Sequence, residues 1–104
     1  MIEKLKDSDI KILIYLFKKK RAPIAWIVDD NNMSFGTVYR SMNTLFKLHL
    51  IEEEKEGNKR LLKLSPLGEK VVKKLLEIDL LIKDALGIRD NSISSEVVSH
   101  LKEQ

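Results

Sequence analysis

Cysteine is absent from this chain. That excludes disulfides, thiolate metal sites and a cysteine nucleophile, and it fits a reducing compartment. Histidine is nearly absent. His49 and His100 fall in different segments, with no carboxylate–histidine spacing of a metal motif, so no metal site and no cofactor are expected. The four glycines are isolated, which leaves no glycine-rich loop to cradle a phosphate. No apolar run approaches the roughly 20 residues of a membrane-spanning helix. The opening Met1-Ile2-Glu3-Lys4-Leu5-Lys6 is charged rather than apolar, so the chain reads as one without a signal peptide, placed in the cytoplasm and away from membranes. Charge of one sign is also scarce. Lys and Arg number 19 against 16 Asp and Glu, a net +3. That excess does not by itself indicate an anionic partner, so the distribution of charge has to decide. Adjacent carboxylates such as Glu53 and Glu54 read as a solvated strand rather than an acid/base pair. No catalytic residue is assigned, and the chain is not expected to be an enzyme.

What remains is a 104-residue chain with 43% hydrophobic residues, enough for one domain with a modest core. At this size association with a second copy is plausible on physical grounds. The most informative stretch is residues 34–48. Ser34 suits a helix N-cap, because its hydroxyl can accept from a backbone N–H one turn on. Val38, Met42, Leu45 and Leu48 follow at helical spacing and make one face apolar. The opposite face carries Tyr39, Arg40, Asn43 and Lys47: an aromatic, two cations, an amide and no carboxylate. Such a face suits the major groove of duplex DNA, where guanidinium and amide groups pair with base edges. The plainer reading is a core helix with a solvated face, and what surrounds the helix must separate the two.

Residues 1–6 read as a short lead-in. Asp7 and Ser8 are candidate caps for a helix near 8–20, whose stripe is Ile10, Leu13, Ile14 and Phe17, widened by Tyr15 and Leu16. It ends in Lys18-Lys19-Lys20-Arg21, cations that suit helix-end carbonyls or a phosphate equally well. A second helix is expected to begin at Ala22-Pro23, with Pro23 in its first turn and Ile24, Ile27 and Val28 inward. Trp26 is assigned to core or interface packing. Asp29-Asp30-Asn31-Asn32 supplies a turn tolerant of left-handed backbone, and Met33 plugs it. Two helices joined so closely have helix-turn-helix spacing. After Ile51 the period changes to two. Ile51-Glu52-Glu53-Glu54-Lys55-Glu56 and Lys59-Arg60-Leu61-Leu62-Lys63-Leu64 flank Gly57-Asn58, a hairpin turn. That closure sets Glu56 opposite Lys59, Glu52 opposite Lys63 and Ile51 opposite Leu64. Asn58, Lys59 and Arg60 then stand at the tip, with Lys55 beside them.

Ser65 caps a long helix with Pro66 in its first turn, ending near Leu86 with Gly87 as its stop. From Ile78 onward its apolar residues run nearly all round, which calls for burial on several faces. The partner inferred is the same helix of a second subunit, through Leu75, Ile78, Leu81, Ile82 and Ala85. The other way to cover it is a short fifth helix near 95–102, with Ile93 and Val98 as a hydrophobic staple around Ser94.

The run Leu45-Phe46-Lys47-Leu48-His49-Leu50-Ile51, a polar hairpin, and then Leu64-Ser65-Pro66-Leu67-Gly68 resembles winged helix-turn-helix regulators. It is similar in particular to the MarR and PadR groups and to small archaeal and archaeal-virus types. Those carry Leu-x-x-x-Gly-Leu-Ile before the wing and Leu-Thr-x-x-Gly after it, and Ser34-x-x-Thr37-Val38-x-Arg40 matches their recognition-helix entry. The likeness spans about 8–86. It implies an α+β, mostly α fold: a three-helix core plus a β-hairpin wing in residues 1–65, and C-terminal dimerisation helices in 66–104. It implies a homodimeric regulator of transcription that binds double-stranded DNA. Ser34, Gly36, Thr37, Tyr39, Arg40, Asn43 and Lys47 would stand on the groove side of a recognition helix at about 34–48. Asn58, Lys59 and Arg60 would lie on a wing at 55–60. Departures are His49 where the pattern has Gly, a short wing turn, and Glu52-Glu53-Glu54 near the DNA side, which need cationic partners such as Lys63, Lys59 or Lys47. A small-molecule effector is left open. The alternative is a protein-interaction module of the same fold, joining a larger assembly without touching DNA.

Overall fold

The structure, a computed structural model, describes residues 2–87. A short 3-10 turn, Ile2–Lys4, precedes α1 (Asp7–Lys19), β1 (Arg21–Pro23), α2 (Ile24–Asn31), α3 (Phe35–Lys47), β2 (Ile51–Glu56), β3 (Lys59–Leu64) and α4 (Pro66–Leu86). The chain divides into two units, the first ending at Glu69 and the second starting at Lys70. The fifth helix expected near 95–102 lies outside the described residues.

In the first unit α1 is the central element. Ile12, Leu13 and Leu16 are fully buried, together with Ile27 of α2, Val38 and Leu45 of α3 and Leu62 of β3. Ile12 lies off the stripe read from the sequence. It is buried because α1 is packed by α2, α3, β1 and β3, more neighbours than one amphipathic stripe serves. The N-cap position is Lys6 rather than Asp7 or Ser8. The Asp9 carboxylate reaches back and accepts the Lys6 backbone N–H at 2.9 Å. Two side-chain bonds pin α1 to its neighbours. Ser8 and the buried Ser41 of α3 share a hydroxyl–hydroxyl bond of 2.9 Å. The Tyr15 hydroxyl donates to the Asp30 carboxylate at the end of α2. Burial, reinforced by that carboxylate, pushes the Tyr15 phenol up to about 12.

The sequence reading placed Arg21 at the end of the first helix and Ala22-Pro23 at the start of the second. The structure makes the three residues a strand. It pairs antiparallel with β3, Arg21 opposite Lys63 and Pro23 opposite Leu61, giving a three-stranded sheet in the order β1-β3-β2. Pro23 is the extended N-cap of α2 rather than its first helical residue. A proline φ near −65° serves both places, so the sequence alone does not choose between them. The hairpin has the expected register: Ile51 opposite Leu64, Glu52 opposite Lys63, Glu56 opposite Lys59. Gly57 supplies the positive φ of its turn, at 64°. Ile51, Leu62 and Leu64 are buried on one sheet face.

The link from α3 to the hairpin is held by a clasp. His49 adopts φ 60°, the left-handed conformation in which a glycine would be unstrained. Ser65 then gathers three bonds. Its N–H donates to the Leu50 carbonyl at 3.0 Å, its hydroxyl donates to the His49 carbonyl at 2.6 Å, and that hydroxyl accepts the Gly68 N–H at 2.9 Å. The first turn of α4 therefore lies directly on the exit from α3. A Cβ at Gly68 would fall 2.0 Å from the Leu50 carbonyl oxygen, so only glycine fits.

In the second unit α4 runs on to Leu86 and stops at Gly87, with φ 71°. Val72 and Leu76 are buried, whereas Ile78, Leu81, Ile82 and Leu86 are exposed, Leu81 at 69%. No helix among the described residues is long and apolar enough to cross a membrane.

Candidate nucleic-acid interface

The candidate interface begins at the turn between α2 and α3. Asn32 closes α2 in the left-handed conformation, φ 54° and ψ 45°, and the Met33 N–H returns to the Val28 carbonyl at 3.0 Å. Ser34 then caps α3, its hydroxyl accepting the Thr37 N–H at 3.1 Å. The same hydroxyl donates to Thr37 Oγ1 at 3.0 Å. Arg40 reaches back over this turn, with Nη2 3.4 Å from Thr37 Oγ1. A Cβ at Gly36 would come 3.5 Å from Arg40 Nη1, so the guanidinium lies across the bare backbone of Gly36. Ser34, Gly36, Thr37 and Arg40 thus form one continuous polar surface at the start of the helix.

Val38, Ser41, Met42 and Leu45 are the buried face of α3. Tyr39, Arg40, Asn43 and Lys47 are exposed together on the other, and the helix contains no acidic residue. The sequence reading omitted Phe35, the first residue of the helix. It is 52% exposed and stacks on Tyr39 with ring centroids 6.4 Å apart. It lies outside the buried face of Val38, Ser41, Met42 and Leu45.

The hairpin presents its cations differently. Lys59 and Arg60 are consecutive in a strand and so point to opposite sheet faces. Arg60 shares a face with the buried Leu62. Its Nε and Nη2 clamp the two carboxylate oxygens of Glu53 at 2.9 and 2.8 Å. That clamp holds the Glu53 carboxyl below its ordinary range and raises the pKa of Arg60 in turn. Glu54 is bonded to Arg21 at 3.0 Å and lies 3.8 Å from Lys63, and the Arg21 bond lowers its pKa in turn. The acidic run is therefore neutralised from within the sheet. Lys63 was among the partners expected for it. Arg60 and Arg21 were not, since diagonal pairs and the unforeseen strand β1 supply them. Lys59, on the other face, lines a groove of about 450 Å³ with Lys19, Arg21, Pro23, Trp26, Glu56 and Leu61. Trp26 is 55% exposed there rather than in the core. Among the described residues no group of three His, Asp or Glu side chains could hold a metal ion.

No protein-family model and no curated protein sequence matches the chain. Solved structures do. A mutant form of ZitR from Lactococcus lactis aligns with a TM-score of 0.69 at 23% identity, over 96% of this chain and 72% of that one. MepR, a transcription regulator of the Staphylococcus aureus multidrug efflux pump MepA, aligns with a TM-score of 0.76 at 17% identity, over 98% and 76%. The fold is a winged helix. A transcriptional regulator homologue from Pyrococcus horikoshii aligns similarly, with a TM-score of 0.68 at 18% identity, over 75% and 81%. In winged-helix terms α2 and α3 are the helix-turn-helix, and β2 and β3 are the wing.

Proposed function

We propose that this chain is a sequence-specific, double-stranded DNA-binding regulator of transcription that acts as a homodimer. The observation that carries the reading is the exposed face of α3. Tyr39, Arg40, Asn43 and Lys47 lie open on one acid-free surface, while the opposite face is locked into the core. Entering the major groove, Arg40 would pair with a guanine edge, and Tyr39 and Asn43 would add base or sugar contacts. Ser34, Thr37 and Lys47 would hold phosphates and fix the register of the helix. Asn58 and Lys59 at the wing tip would track the backbone or minor groove, with Arg60 contributing only as far as Glu53 releases it. The names of the structural neighbours, regulators of transcription among them, support the same reading, and they are not enzymes. The dimer is proposed through the outer part of α4, where Ile78, Leu81, Ile82 and Ala85 are exposed and Leu75 is half-buried. A contiguous apolar surface of this kind marks an association site.

Mobility-shift titration with a random duplex pool and with duplexes selected from it tests the DNA reading. Saturable binding that weakens as salt rises and prefers the selected duplex supports it; no retardation even at low salt overturns it in favour of a protein-interaction module. Light scattering tests the dimer: a mass of twice the 12.0 kDa chain is expected, and a monomer at micromolar concentration overturns it.

A further inference from the structure

The stacked pair at the head of α3 does work that hydrogen bonding does not cover. Phe35 and Tyr39 stand one helical turn apart, half-exposed, with centroids 6.4 Å apart and ring planes 29° apart. Neither ring belongs to the buried face of Val38, Ser41, Met42 and Leu45. Phe35 has no polar atom to offer water, phosphate or a base edge. Beside it lies Gly36, with the Arg40 guanidinium 3.5 Å from where a Cβ would stand. An aromatic ring, a flat stretch of bare backbone and a guanidinium therefore share one patch at the leading end of the helix.

The major groove offers only one apolar group for such a ring to meet, the C5-methyl of thymine. This inference rests on the DNA-binding reading above. We infer that Phe35 is a specificity-determining residue that packs on a thymine methyl, on the base step beside the guanine read by Arg40. The two residues then divide the task. Arg40 reads donors and acceptors, and Phe35 reads the presence of a methyl group. Tyr39 holds the Phe35 ring in place from behind, a two-torsion side chain stiffened by stacking, so that little rotamer freedom is lost on contact.

Deoxyuridine differs from thymidine only in lacking that methyl, which makes the experiment specific. The duplex recovered by selection from a random pool is resynthesised with each thymine in turn replaced by uracil. Binding of the full chain, of Phe35→Ala and of Phe35→Leu is then titrated. One thymine per half-site is expected to respond, with about a fourfold loss of affinity for the wild-type chain when its methyl is removed. Phe35→Ala should bind the thymine and uracil duplexes alike at that position, while Phe35→Leu retains part of the difference. Phe35 is half-exposed and lies outside the buried face of α3, and circular dichroism checks that both variants keep the fold. A wild-type chain that binds its duplex but tolerates uracil at every position overturns this inference alone. So does a Phe35→Ala variant that keeps the full thymine preference. Failure to bind any duplex overturns the regulator reading, and this inference with it.

Discussion

Two exposed arginines occupy the two halves of the candidate interface, and the structure leaves them in opposite conditions. Arg40 on α3 has one long contact, 3.4 Å, to the Thr37 hydroxyl. Arg60 on the wing is clamped through two nitrogens by Glu53. A guanidinium tied bidentately has already committed the fork that would engage a phosphate or a guanine. The exposed face of α3 therefore offers an uncommitted guanidinium, and the wing one that is internally neutralised. Counting cations along the sequence treats both halves as equal; the geometry does not.

The most drastic way to break that contrast is to break the clasp that joins the halves. Gly68→Ala drives a Cβ into the Leu50 carbonyl and should destabilise the fold by about 2–4 kcal/mol. Thermal unfolding should show a fall of roughly 10 °C or more. An unchanged Tm would mean that α4 does not lie on the exit from α3 as described. Next in size is the helix itself. Arg40→Ala should cost about 1–3 kcal/mol in binding to a selected duplex and relax preference at one base position. Arg60→Ala should change affinity by less than about twofold, since exposed paired charges contribute little. Equal losses for the two variants would erase the distinction. The comparison is sharpened by freeing the wing: Glu53→Gln should tighten binding to random DNA and steepen the salt dependence by about one unit, as one more cation becomes available to phosphate. A slope unchanged from wild type would show that Arg60 is out of reach of the duplex.

The smallest effect is a pH dependence confined to the wing. Glu53 and Glu54 are held below their ordinary value of 4.5 by hydrogen bonds from Arg60 and Arg21. A depressed folded-state pKa contributes stability above the unfolded value, and that contribution is lost as pH falls through the folded one. Hydrogen exchange should therefore report loosening of β2 below about pH 4.5, with α3, which has no carboxylate, unaffected in that range. A Glu53→Gln, Glu54→Gln double variant should lose the acid-dependent difference between the two elements.

These contrasts explain which parts of the molecule could be read before the fold was known. The hairpin register follows from Gly57-Asn58 and the alternation around it, because turn geometry and a two-residue period are local. The apolar back and polar front of α3 are equally local. The strand Arg21–Pro23 left no such trace: three residues carry no period, and its partner lies some forty positions away in β3. The Arg60–Glu53 clamp is a diagonal pair, invisible to a reading that matches residues directly opposite. Trp26 was assigned to core or interface packing by residue type, and the structure places it outside the core, at 55% exposure. His49 is a different case. The glycine expected there marks a left-handed backbone, and that backbone persists without the glycine, at a strain of about 1 kcal/mol.

Among the described residues, the order β1-β3-β2 leaves β1 and β2 as the outer strands, the edges that could template a neighbouring chain. The β1 side is only three residues long and ends in Pro23, which has no N–H to lend. The β2 side carries four glutamates and Lys55, with Glu53 and Glu54 already paired to Arg60 and Arg21. Only Glu52 and Glu56, the acids of β2 outside the Arg60 and Arg21 bonds, are left to disfavour edgewise pairing with a second copy.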